Sequence, residues 1–267
     1  MAHIVLVGDS IFDNARYTEG GPDVIAQVRQ LLPGGSQASL LAVDGSTTEN
    51  IPAQVERMPS DASHLVLSVG GNDAIMSADI LRMPAQSTAE ALAELTEVSE
   101  KFEDNYRRAV ETCRRRSLPL AICTIYNGSF PDPKYQRLIS TALMVFNDAI
   151  LRVGIEYGLT IIDLRLICSS PEDYANPIEP SSIGGAKIAR SIVGLVSGAG
   201  IRCASRRRVR FTEMFQDQNP HPVAKNATRV GHPEKQIPRH SRRFHRLRVA
   251  RNDKDFGRTS IMGSACR

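Results

Sequence analysis

The sequence predicts an α/β domain built on a parallel sheet of five strands covered by helices. Two observations predict it. Across residues 1–200, short β-rich runs alternate with longer helical patterns. Gly and Pro breakers also stand where those patterns stop. The first strand spans residues 3–7, His-Ile-Val-Leu-Val, and a helix follows over 23–32 until Pro33-Gly34-Gly35 stops it. A second strand over 39–43 leads to a helix over 48–58. The third strand, 64–69, precedes a long helical pattern over 87–116. The fourth, 118–124, precedes a helix over 133–157 that Gly158 closes at its C-cap position. The fifth strand, 160–164, and a closing helix over 184–196 complete the domain.

The chain has 267 residues, of which 42% are hydrophobic and 23% charged, enough for one sizeable domain plus an extension. Its uninterrupted apolar stretches, such as 65–69 and 118–122, are strand-length, far short of the roughly 20 residues that span a bilayer. Met1-Ala2-His3 runs directly into the first strand with no charged or long apolar leader, so a cytoplasmic location is expected. The five cysteines, Cys113, Cys123, Cys168, Cys203 and Cys266, are scattered and read as free thiols; neither metal nor organic cofactor is expected.

Composition changes sharply near residue 200. Residues 201–267 carry a net charge of +12 and residues 1–200 one of −8. The boundary is therefore placed there, with a basic, disordered segment over 201–267. Three readings of that segment stand open: a solvated tail, a nucleic-acid or anionic-surface binder acting through counterion release, or a stretch translated out of frame.

In an open parallel sheet, ligands bind outside the carboxyl ends of the strands. Four places qualify: Gly8-Asp9-Ser10, Asp44-Gly45-Ser46, Gly70-Gly71-Asn72-Asp73, and the loop holding Asn176 and Glu179. All four are expected on one edge. The stretch 126–133 after the fourth strand either overhangs that edge or merely leads into the next helix.

In their order and placement these blocks resemble those of the SGNH hydrolases, also called the GDSL family: a Gly-Asp-Ser, a Gly, a Gly-x-Asn-Asp and an Asp-x-x-His. Three of the four match, over residues 3–197. The resemblance implies a three-layer α/β/α sandwich of the flavodoxin-like type and hydrolysis of small-molecule esters through an acyl-serine intermediate. It would make Ser10 the nucleophile. The N–H of Ser10, the N–H of Gly45 and the side chain of Asn72 would form the oxyanion hole. Those residue types suit the task, because a tetrahedral intermediate needs donors aimed at its negative oxygen. Ser10 and Asn72 as helix caps and Gly45 as a turn residue are the plainer alternatives.

The fourth block departs. Asn176 and Glu179 stand where the family has Asp and His. Two readings are open: Glu179, raised in pKa by burial, takes the role of base, or it only caps the closing helix and the hydrolase is impaired into a binding protein. His3 and His64 begin strands one and three, at the opposite end. Asp9 and Asp73 read as carboxylates that hold the loops, with Asp163 and Asp173 as further candidates to orient a base.

Overall fold

The structure, a computed structural model, describes residues 1–196. The boundary placed at residue 200 and the basic segment beyond it, with its nucleic-acid reading, lie outside the described residues. Five strands form one parallel sheet: β1 (His3–Gly8), β2 (Gln37–Leu40), β3 (His64–Ser68), β4 (Leu120–Cys123) and β5 (Thr160–Ile162), in the order β2-β1-β3-β4-β5. The α-helices are α1 (Val24–Leu31), α2 (Ile51–Glu56), α3 (Gly71–Met76), α4 (Thr88–Arg114), α5 (Pro133–Glu156), α6 (Leu164–Ile167) and α7 (Ser182–Val196).

Alternation along β1 explains the three layers. Successive side chains of a strand point to opposite faces. Ile4 and Leu6 therefore join Val24, Val28, Ile188 and Ile192 from α1 and α7 on one face. Val5 and Val7 join Leu65, Tyr106, Ile150 and Val153, with α4 and α5, on the other. All six residues of β1 are buried, as a central parallel strand covered on both faces requires. The fold is thus the predicted α/β/α sandwich around a five-stranded parallel sheet.

Two local differences have clear causes. The second strand ends at Leu40 because the N–H groups of Leu41 and Ala42 both turn onto the carbonyl of Leu6, at 2.8 and 3.0 Å, which breaks the ladder. The helix predicted over 48–58 begins as a 3₁₀ turn, Thr48–Asn50, before α2. Short α3, the 3₁₀ turn Ala78–Arg82 and α6 were not predicted. Helix α5 has the length and apolar composition to cross a membrane; here it packs Ile150 and Val153 against the sheet.

Candidate active site

Ser10 lies two residues beyond β1, where the strand runs tightly against the end of β3. Gly8, in register with Ser68, has φ +142, and a Cβ there would fall 1.8 Å from the Ser68 carbonyl oxygen. Only glycine permits that approach. Gln54 of α2 then brackets Gly8, accepting from its N–H and donating to its carbonyl, both at 2.8 Å. The Asp9 carboxylate accepts the Ile11 N–H at 3.1 Å and shapes the turn that presents Ser10.

The loops after β2 and β3 are tied to each other. Asn72, in the first turn of α3, donates from Nδ2 to the Ser46 carbonyl at 2.9 Å. Asp73 accepts from the Thr48 hydroxyl at 2.6 Å and from its N–H at 3.1 Å. Gly45, one residue before Ser46, is exposed with φ +81, a conformation that favours glycine. Among the described residues, no protein acceptor meets the backbone N–H of Ser10 or that of Gly45.

The fourth loop carries Glu179 to Ser10. Ser10 Oγ donates to Glu179 Oε1 at 3.1 Å, and both residues are buried, each 7% exposed. The loop is held from several sides. The buried Asn14 donates to the Pro180 carbonyl at 3.1 Å while accepting the Val24 N–H at 3.0 Å. The Tyr126 hydroxyl donates to the Ile178 carbonyl at 2.5 Å. Asn176 accepts from the N–H groups of Ile178 and Glu179, both at 3.0 Å. Buried Asp173 anchors the base of the loop by accepting from Ser169 and Ser170 N–H and pairing with Lys187 at 2.6 Å.

The electrostatics follow from burial. Loss of water pushes the Glu179 carboxyl up to about 7; the donated Ser10 hydroxyl works against this and the nearby Asp44 adds to it. Burial likewise pushes Asp9 up to about 8, opposed by the Ile11 N–H and reinforced by Glu179 and Asp73. Glu179 Oε2 is buried with no hydrogen-bond partner. A carboxylate so placed can accept a proton near neutral pH and return it, which is the capacity a general base needs. A cavity of about 320 Å3 opens beside the pair, with Ser10, Asn72 and Glu179 in its wall.

The structure therefore brings Ser10 and Glu179 into contact and sets Asn72 in the same cavity, while Gly45 lies outside its lining. Asp9 and Asp73 hold loops, as expected. Asp163 caps α6 and pairs with Arg165, and Asp173 anchors its loop, so neither touches Glu179. His3 and His64 bond Ser39 and Ser63 at the far end of the sheet. The stretch after β4 does line the cavity, through Tyr126, Gly128 and Phe130. Asn14, Gln54 and the hydroxyl of Tyr126 escaped the sequence reading, because their partners are distant or backbone atoms that no local pattern marks. Cys113, Cys123 and Cys168 are buried free thiols, raised in pKa by that burial. Among the described residues, no three His, Cys, Asp or Glu side chains are grouped as a metal site requires.

The sequence model of the GDSL-like lipase/acylhydrolase family matches residues 6–183. No curated protein matches the sequence significantly. Several solved structures share the fold. An extracellular lipase from Streptomyces rimosus superposes with a TM-score of 0.54 at 15% identity, covering 74% of this chain and 100% of its own. A phospholipase A1 from Streptomyces albidoflavus gives 0.54 at 16%, covering 73% and 98%. A carbohydrate acetylesterase from Sinorhizobium meliloti gives 0.50 at 12%, covering 74% and 100%. At these identities the likeness is one of fold. It corrects the cytoplasmic expectation: the same fold serves an extracellular lipase, so a strand-first start does not assign the domain to the cytoplasm, and that location is withdrawn.

Proposed function

The chain belongs to the GDSL-like lipase/acylhydrolase family, and on that premise we propose that it hydrolyses esters through an acyl-serine at Ser10, with Glu179 as the proton acceptor and donor. The observation that carries this reading is the 3.1 Å hydrogen bond from Ser10 Oγ to Glu179 Oε1 in the wall of a cavity. A nucleophile and base within hydrogen-bond reach are the minimum for this chemistry.

In the first half-reaction Ser10 Oγ attacks the ester carbonyl as its proton passes to Glu179. The carbonyl oxygen becomes negative and is met by the N–H of Ser10, the N–H of Gly45 and the Asn72 amide. That amide has two protons, and one is spent on Ser46, which fixes the group and leaves the other free to donate. Collapse breaks the bond to the alcohol oxygen, which takes the proton back from Glu179. In the second half a water gives its proton to Glu179 and attacks the acyl-serine. Glu179 returns the proton to Ser10 Oγ, and a carboxylic acid leaves.

A carboxylate at its ordinary pKa is a weak acceptor for a serine proton; one raised to about 7 is better matched to neutral pH. Asn14, Tyr126 and Asn176 hold its loop from three directions, so the pairing is preorganised. A fluorophosphonate probe tests the reading. It is expected to form an adduct on wild-type Ser10 and none on Ser10→Ala. Equal labelling of the two proteins, or no labelling of either, would sink the assignment.

A further inference from the structure

We infer that the substrate carries an unbranched aliphatic acyl chain longer than acetyl, seated in the recess between α4 and α5. The inference rests on the reading of Ser10 as the acylated residue. From the Ser10 end the cavity runs between apolar walls: Ile80 from the 3₁₀ turn after α3, Leu95 and Val98 from α4, and Ile139, Ala142 and Leu143 from α5. Among the described residues, Asp9 and Glu179 are the only carboxyl or basic side chains in its lining, and both stand at the serine end. A largely apolar recess with one reactive corner that carries both carboxyl groups fits a ligand with one polar group and a hydrocarbon tail.

Size argues for a tail rather than a single methyl group. A cavity of about 320 Å3 lies in the range that takes up a whole small ligand. An acetyl group would leave most of that space unfilled, and its lining without contacts. Leu92 on α4 and Leu138 on α5 are further exposed apolar side chains on the two helices that wall the recess.

The sheet order assigns the tail to the acyl side. The recess lies beyond β3 and β4, on one side of β1, whereas Asp44 follows β2 on the other side. There the Asp44 carboxylate accepts from the Tyr17 hydroxyl at 2.9 Å and pairs with Arg16 at 3.1 Å. That flank is polar and open, suited to a hydroxyl-bearing leaving group that must depart before deacylation, while the acyl chain stays in the recess through both half-reactions.

The test is a series of p-nitrophenyl esters from acetate to palmitate, used below their critical micelle concentrations, with decyl acetate as the reversed arrangement. Burial of each methylene contributes up to about fourfold in kcat/KM. Decanoate is expected to exceed acetate by at least about 100-fold. Ala142→Phe, and from the other wall Leu95→Trp, fill the recess and are expected to cut the decanoate-to-acetate ratio at least about tenfold. Acetate turned over as well as decanoate, decyl acetate preferred to decanoate, or a ratio unmoved by both variants would overturn the inference while leaving the hydrolase reading intact. Binding separates the two claims if no ester is cleaved: on Ser10→Ala, decanoate but not acetate is expected to displace 1-anilinonaphthalene-8-sulfonate. Displacement without hydrolysis refutes the hydrolase reading alone; no displacement refutes the acyl site.

Discussion

Asn176 accepts the backbone N–H of Glu179 at 3.0 Å and that of Ile178 at the same distance, so it braces the turn that carries Glu179 and leaves its carboxylate untouched. An aspartate at that position would orient the ring of a histidine three residues later; beside a glutamate, the side chain serves the backbone instead. Removal of the brace in Asn176→Ala is expected to lower kcat/KM, by up to about 100-fold if Glu179 shifts by an ångström. Asn176→Asp keeps an acceptor oxygen for the same two N–H groups and is expected to retain most of the rate. Its added negative charge near Glu179 should also move the pH profile upward. Rates across pH for both variants check this.

In the proposed mechanism, Glu179 must be ionised to accept the proton of Ser10. Its pKa is raised to about 7, so kcat/KM is expected to rise with pH through that value and to level above it. Glu179→Gln removes the acceptor without changing shape and should lower the rate by about 1000-fold or more. Glu179→His is expected to retain or raise activity, with the rise in rate shifted toward the ordinary range of imidazole. A flat profile from pH 5 to 9 in the wild-type protein would remove Glu179 from the mechanism.

In the proposed mechanism, Asn72→Ala takes away one donor to the developing oxyanion. A loss of about 100- to 1000-fold in kcat, about 3 to 4 kcal/mol, is expected, with little change in KM because the donor acts on the transition state. The Ser46 carbonyl also loses its partner, so thermal unfolding of the variant should be compared with that of the wild type.

Asp9 links stability to pH. Its folded pKa of about 8 stands above the ordinary value of 3.8, so the folded chain keeps a proton that the unfolded chain releases. Stability from this group is full below about pH 4 and is lost as pH rises toward 8. Asp9→Asn still offers an oxygen to the Ile11 N–H and has no proton to lose. Its melting temperature is therefore expected to gain on the wild type as pH increases from 5 to 8. Glu179 contributes in the same direction up to about 7, so the variant should retain part of the slope.

Gly8→Ala would set a methyl group 1.8 Å from the Ser68 carbonyl oxygen, at a φ of +142. The backbone of β1 or β3 must move, and a loss of several kcal/mol in stability is expected. Denaturant unfolding measures it, and a variant as stable as the wild type would contradict the close approach.

Much of this molecule was legible in one dimension, because its signals are local. Alternation of apolar runs marked all five strands and helices α1, α2, α4, α5 and α7, and Gly and Pro punctuation marked where several of them stop. Ser10 and Asn72 share one cavity wall because a parallel sheet gathers the loops at its strand ends, while Gly45 lies outside that lining. The end of β2 was misread, since two N–H groups competing for the Leu6 carbonyl leave no trace in hydrophobic pattern. Tertiary structure alone decided that Glu179 meets Ser10. The two lie 169 positions apart, and their distance is set by Asn14 on the Pro180 carbonyl and Tyr126 on the Ile178 carbonyl. The recess was equally hidden: the long helices were predicted, but the space between α4 and α5 depends on how their side chains meet. A local pattern specifies which elements form and which residues stand at their ends; contacts between distant backbone and side-chain atoms specify which of those residues touch, and what room is left beside them.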